Sequence, residues 1–265
     1  GAQVGVSGNP EWDDIARGVA AIPREDFAGM ALALPHEDRL EALRMRFRFD
    51  RESFARYCWP ERFHRPFNPM HRELMERVES VDAYDQRDRP TYEAFAAPRG
   101  GAKSTIGCFL EAVHSICYGL ERFIAVISAE QRLAESLCKD IRAAMLESSE
   151  QLDELFGPFD VRGGVSDFVA AAQGHKLCRV WARSFGGQLR GELYDGVRPT
   201  LAILDDSERA DRVRSADQRR IWTTTLEDDI CEAGDERTRY VVLGTVLHSE
   251  SMLAQLLDNP GWTSK

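Results

Sequence analysis

The sequence predicts an α/β fold: a mainly parallel sheet with helices on both faces, preceded by an N-terminal helical segment. Three observations carry this expectation. Four short apolar runs (TYEAFAA, RFIAVISA, TLAILDD and TRYVVLGT) have the length and uniform apolarity of strands buried on both faces. The stretches between them repeat apolar residues at helical spacing, the alternation expected of strand–helix–strand crossovers. A Gly-rich turn joins the first run directly to a helical stretch, PRGGAKSTIGCFLEAV.

In chain order, residues 1–50 read as helices broken at Pro23 and Pro35, with HEDRLEALRMRFRF at helical period. NPMHRELMERVESV follows as a helix. Asn68 is its N-cap, Pro69 suits its first position, and Leu74, Met75 and Val78 form its apolar face. After the first strand, AKSTIGCFLEAVHSICYG predicts a helix ending at Gly119, and RFIAVISA a second buried strand. AEQRLAESLCKDIRAAMLES predicts a long amphipathic helix, and KLCRVWARS an alternating strand. TLAILDD and TRYVVLGT complete the sheet, and SESMLAQLLD forms a last helix. Residues 157–200 are Gly-rich and show no dominant period.

Composition bounds the function. The chain has 265 residues, 43% of them hydrophobic and 29% charged, enough for a sizeable core. No apolar run approaches the ~20 residues of a membrane span, and GAQVGVSGNPEW lacks the pattern of a secretion signal. The six cysteines show no CxxC pair and predict free thiols in a reducing compartment. A net charge of −10 argues against a protein that fills a DNA groove over its whole surface. Contact with DNA requires a local patch, or a part outside this sequence; RADRVRSADQRR is the candidate patch for DNA or a neighbouring subunit, with ion pairing to Asp211, Asp217 and nearby acids as the alternative reading.

The Gly-rich turn has the chemistry of a phosphate cradle. Such a loop presents backbone N–H groups at a helix N-terminus, a lysine for the outer phosphates and a hydroxyl for Mg²⁺. Here Gly100 and Gly101 allow the turn, and Lys103 and Ser104 open the helix. Ala97 and Ala102 stand where the usual G-x-x-x-x-G-K-[ST] pattern has glycine. Alanine serves there only if the backbone avoids positive φ. About 100 residues later, TLAILDDSE ends a buried strand in Asp205, Asp206 and Glu208. Three carboxylates at a buried strand end repel one another unless a cation and a reacting water use them. Asp205 takes the metal position, and Asp206 or Glu208 orients or deprotonates the water. Loop and acids together predict a nucleotide hydrolase. Gly244 and Thr245, with His248 behind them, end the strand in YVVLGTVLHSES, where a γ-phosphate sensor would sit.

These features together resemble the large terminase subunits of tailed bacteriophages, the motors that package DNA. PRGGAKST matches their loop with its arginine, and LDDSE resembles their acidic strand end. FIAVISAEQRLAESLCKDIR is similar to the segment after their loop. LRGELYDGVRPTLAILDD resembles their approach to the acidic strand, and GTVLHSES their coupling motif. The likeness spans residues 50–257. It implies an ASCE-type P-loop NTPase fold, with residues 1–50 as an N-terminal helical segment or lid and residues 51–265 as the ATPase domain. The C-terminal nuclease of full-length terminases is expected to be absent, and LEDDICEAGDE reads as a helix end and turn.

By the same resemblance, ATP binds at Pro98, Arg99, Gly100, Gly101, Ala102, Lys103, Ser104 and Thr105, with Mg²⁺ on Ser104 and Asp205. Arg99 acts on the γ-phosphate from the same subunit. Arg190, or its rival Arg198, serves a neighbouring subunit's nucleotide. His71 stands where the family has an adenine-contacting glutamine, and helix packing is its alternative role. The implied function is an Mg²⁺-dependent ATPase that drives double-stranded DNA into a procapsid. It implies a homo-oligomeric ring on a portal, a small terminase subunit as partner, and the host cytoplasm as location. A helicase-like nucleic-acid ATPase and a non-hydrolysing nucleotide-binding assembly module are the alternatives.

Overall fold

The computed structural model describes residues 10–79 and 82–264. Proline sets the rhythm of the N-terminal part. Pro23 and Pro35 take extended ψ values of 141° and 155°, ending one helix and starting the next. The result is α1 (Pro10–Ala21), α2 (Arg24–Ala33) and α3 (His36–Arg48). α4 (Arg51–Cys58) starts at Asp50, whose carboxylate accepts from Ser53 N at 3.1 Å. α5 (Pro69–Glu79) starts as its sequence predicts, with Asn68 Oδ1 accepting from His71 N at 2.9 Å. Leu74 and Met75 are buried, and the side chain of Val78 lies outside the described residues.

β1 (Thr91–Ala96) feeds the Gly-rich loop. The helix after the loop opens as a π-helical stretch, Thr105–Leu110, and continues as α6 (Glu111–Cys117). It ends where Gly119 adopts φ 62°. β2 (Phe123–Ser128), α7 (Gln131–Leu146) and α8 (Glu150–Phe156) follow. Residues 157–200, without a clear period in the sequence, supply β3 (Asp160–Gly163), β4 (Asp167–Ala171) and β5 (Cys178–Ser184) before a long coil. Then come β6 (Leu201–Asp205) and α9 (Ala216–Thr224), extended by a π-helical stretch, Thr225–Ile230. β7 (Arg239–Gly244), α10 (Met252–Asp258) and β8 (Thr263–Ser264) complete the described chain.

One eight-stranded sheet runs in the order β3-β4-β5-β2-β6-β7-β1-β8. From β5 to β8 every neighbouring pair is parallel, and β3 and β4 extend the other edge antiparallel. The loop-bearing β1 and the acid-bearing β6 are separated by one strand, β7. This is the strand order of an ASCE-type P-loop NTPase. Strands spaced ~4.8 Å apart put β1 and β6 about 10 Å from each other, with both carboxyl ends at one rim.

The uniform apolarity of the strands reflects burial on both faces. Along β2, Ile124 and Val126 join one core cluster, while Phe123, Ala125 and Ile127 join the other. The first cluster is continuous with the N-terminal helices. Trp12, Phe27, Leu40 and Phe47 belong to it, together with Ile106, Ile116 and Phe156. A buried ion cluster fixes the helix behind the loop. Glu111 Oε1 accepts from Arg239 Nη1 of β7 at 2.8 Å, and Glu111 Oε2 pairs with Arg51 of α4. All three side chains are fully buried.

A candidate phosphate-binding site at the sheet rim

The loop, the acidic strand end and the tip of β7 meet in one cavity of about 700 Å³ at the carboxyl rim of the sheet. Residues 99–105 form one wall; Asp206, Glu208, Arg209, Ala210 and Asp211 form another. Ala129, Glu130 and Leu133 close one side, and Thr245 and Leu247 the other. No residue of 10–50 lines it, among the described residues.

The loop is built by a turn in which Gly101 N donates to Pro98 O at 3.1 Å, while Gly100 takes φ 78°. Ala102 sits at φ 55°. The condition under which alanine substitutes freely for glycine is therefore not met. Its Cβ is held in the left-handed region at about 1–2 kcal/mol, a local cost that tertiary contacts offset. His71 supports the turn from outside the cavity. Its Nδ1 accepts from Asn68 N at 3.3 Å, which leaves the ring proton on Nε2, 3.0 Å from the Gly101 carbonyl.

Lys103 is buried, and its Nζ lies 2.9 Å from Asp206 Oδ2. Ser104 Oγ donates to Asp205 Oδ2 at 2.7 Å. Thr105 lies beside it in the wall. The other carboxylate oxygen of Asp205, Oδ1, is buried with no hydrogen-bond partner among the described residues. Burial is the main reason that the Asp205 carboxyl is pushed up to about 6. The Asp206 charge adds to the effect, whereas the Ser104 hydroxyl and the Lys103 ammonium oppose it. Asp206 itself is half-exposed and held at φ 44°, a conformation Asp tolerates better than most residues.

The tip of β7 is locked to the start of the loop. Ala97 N donates to Gly244 O at 2.9 Å, and Thr245 Oγ1 donates to Ala97 O at 2.9 Å. Asp206 N donates to Leu243 O at 2.9 Å, so the three strand tips form one hydrogen-bonded plate. Glu208 lines the cavity, but both of its carboxylate oxygens accept backbone N–H groups of α10. His248 lies outside the cavity lining, its Nδ1 accepting from Glu250 N at 3.0 Å. Arg190 is also outside it, half-exposed and 3.7 Å from Asp229. Arg198 Nη1 is bound to the Glu232 and Gly234 carbonyls. Arg99 lines the cavity, exposed and without an ion-pair partner among the described residues.

Sequence reasoning missed Glu130, Leu133, Arg209, Asp211 and Leu247 as cavity residues. The available signal was positional: each follows a strand ending at the same rim. In the basic run, Arg209 pairs with Glu130 at 2.7 Å and with Asp211 at 3.0 Å, and Arg220 pairs with Asp217 at 3.3 Å. Arg219 is buried against the Val213 and Arg214 carbonyls. Arg212 and Arg214 are exposed and carry no ion pair among the described residues.

The lining holds three cations (Arg99, Lys103, Arg209) against four carboxylates (Glu130, Asp206, Glu208, Asp211). A tetra-anionic triphosphate in such a cavity requires an added cation. Among the described residues no cluster of three or more metal-ligating side chains exists. A site with one or two protein oxygens would fit Mg²⁺, which completes its shell with phosphate and water. Ser104 Oγ and the unpartnered Asp205 Oδ1 are the fitting donors.

No family model matches the sequence, and no curated protein matches it. Among solved structures, the chain is similar to the HK97 bacteriophage large terminase, at 15% identity and TM-score 0.48, covering 79% of this chain and 41% of that one. It is also similar to a Thermus phage large terminase ATPase domain, at 15% identity and TM-score 0.45, covering 77% and 83%. A third likeness is to the large terminase of a thermophilic bacteriophage in complex with ATP-γ-S, at 10% identity and TM-score 0.37, covering 76% and 44%. The matched part of this chain thus spans less than half of two of these terminases.

Proposed function

We propose that this chain is an Mg²⁺-dependent ATPase and that its hydrolysis drives double-stranded DNA into a procapsid. One observation carries the hydrolase reading. The Lys103–Asp206 and Ser104–Asp205 pairs bring the two sequence motifs together in a single cavity at a sheet rim. Lys103 exchanges Asp206 for the β- and γ-phosphates, since an ammonium with three donors binds a more highly charged partner in preference to one carboxylate. Loop N–H groups at the start of the helix cradle the phosphates. Asp206, released from Lys103, holds the attacking water and accepts its proton. Ser104 and Asp205 hold Mg²⁺, which supplies charge neutralisation on the phosphate oxygens when bound. Arg99 reaches the γ-phosphate from the cavity mouth, and Thr245 reports its presence through the bond to Ala97. Arg190, on the open surface, serves the site of the next subunit in a homo-oligomeric ring.

The DNA-packaging assignment rests on the terminase-like motifs in the sequence. It carries with it a portal, a small terminase subunit and the host cytoplasm as the setting. Among the described residues no helix is long and apolar enough to cross a membrane. Arg212 and Arg214, exposed and without a salt bridge among the described residues, are the residues proposed to meet the DNA backbone. Steady-state ATP turnover with and without Mg²⁺ tests the reading. Wild type turns over only with the metal, and Lys103→Ala loses that turnover. ATP binding without turnover in wild type makes the chain an assembly module instead.

A further inference from the structure

Glu208 stands between the acidic loop and the segment that leaves the tip of β7. The chain turns sharply at Asp206, φ 44°, and two residues later the Glu208 side chain reaches the start of α10. Its Oε1 accepts from Met252 N at 2.8 Å and its Oε2 from Leu253 N at 3.1 Å. The N-cap, Ser251, separately accepts from Ala254 N through its hydroxyl at 3.3 Å. Glu208 and Ser251 thus divide the free N–H groups of the first turn between them. Hydrogen bonds from N–H groups to a carboxylate are about twice as strong as neutral ones, and two of them fix this side chain in place. Burial raises its pKa, and these two bonds oppose the rise. Asp206, by contrast, is half-exposed and held by an ion pair with Lys103.

We infer that Glu208 is a positioning residue: it tethers the acidic loop to α10, transmits the loop's displacement to that helix, and leaves water activation to Asp206. This rests on the hydrolase reading above. When a phosphate takes Lys103, Asp206 loses its partner and the loop relaxes. Glu208, two residues along, moves with it and carries the start of α10. α10 packs on β1 and β8, so the shift reaches the sheet edge beside the phosphate loop. The other exit from the rim, Thr245, is bonded through its hydroxyl to Ala97 at the start of the phosphate loop.

The test compares Glu208→Gln with Asp206→Asn, reading turnover with Mg²⁺ and ATP and backbone hydrogen exchange with Mg²⁺ and ATP-γ-S. In wild type the nucleotide changes exchange in α10. In Glu208→Gln, one of the two acceptor bonds is gone, and the α10 response disappears while residues 100–105 remain protected. Turnover falls by roughly tenfold or less, the scale of one hydrogen bond. Asp206→Asn falls by about 10²–10⁴-fold, the scale of a lost general base. A second pair reaches the tether from its other end. Met252→Pro deletes the N–H that Glu208 accepts; proline fits a helix's first position, and Ser251 at ψ 159° suits the residue before it. Met252→Ala loses the same buried side chain but keeps the N–H, so only Met252→Pro loses the α10 response. The tether is overturned if Glu208→Gln loses turnover as fully as Asp206→Asn. An unresponsive α10 in nucleotide-bound wild type, or Met252→Pro behaving as Met252→Ala, also overturns it. Failure of wild type to bind ATP-γ-S instead removes the hydrolase reading, and the tether with it.

Discussion

Asp205→Asn isolates the cost of keeping a charge at the proposed metal position. The folded protein holds this carboxyl at about 6, against an ordinary value of 3.8. Between those two values the native state keeps a proton that the unfolded chain has lost. Stability therefore falls as pH rises through that window, and the loss is complete above it. The gap, at 1.36 kcal/mol for each pKa unit, amounts to about 3 kcal/mol. Asparagine has nearly the same shape and still accepts from Ser104 Oγ, but it carries no charge to desolvate. Urea unfolding of both proteins without nucleotide or Mg²⁺, at pH 4, 5, 6 and 7, gives the difference between them, and groups that titrate alike cancel. About half a kcal/mol of that loss is already present at pH 4, so the variant's advantage should grow by roughly 2.4 kcal/mol from pH 4 to pH 7. Adding Mg²⁺ and ATP-γ-S at pH 7 should then stabilise wild type more than the variant. A difference that stays flat across the window refutes the argument that burial dominates at Asp205.

Three further outcomes follow from the geometry. Ala102→Gly removes a Cβ from a residue at φ 55° and should raise stability by about 1 kcal/mol in thermal or urea unfolding. Gly107→Ala places a Cβ 2.6 Å from Leu243 Cδ1 in a filled core, and should cost about 1–3 kcal/mol by the same measurement. Glu111→Gln leaves Arg51 and Arg239 buried with their shared carboxylate removed, and should cost about 3–5 kcal/mol; an unchanged urea midpoint would show the cluster to be solvated.

The terminal helices, the parallel strands and the N-cap at Asn68 were legible because each is a local matter. Pro23 and Pro35 follow helical stretches that proline cannot continue, and a strand buried on both faces reads as an unbroken apolar run. Residues 157–200 were not legible. β3 is an edge strand held only by pairing to β4, which in turn pairs with β5, and a short half-exposed edge leaves little period in its own sequence. The π-helical opening after the loop was equally hidden, as was the close approach of Gly107 to Leu243 of a strand more than a hundred residues away. Glu111, set in the apolar run GCFLEAV, was a visible clue to the buried ion cluster, but its partners Arg51 and Arg239 were not.

For the site, the sequence determined the chemistry: a lysine and a hydroxyl at the start of a helix, and carboxylates at the end of a buried strand. These follow from residue type and neighbours along the chain. Tertiary structure decided their use. Packing put Lys103 on Asp206 and Ser104 on Asp205, left Asp205 Oδ1 without a partner among the described residues, and sent Glu208 to α10 while Asp206 faces the cavity. Two acids two residues apart have nearly the same local sequence. Only the strand order, which sets β7 and its outgoing helix beside them, gives each a different partner.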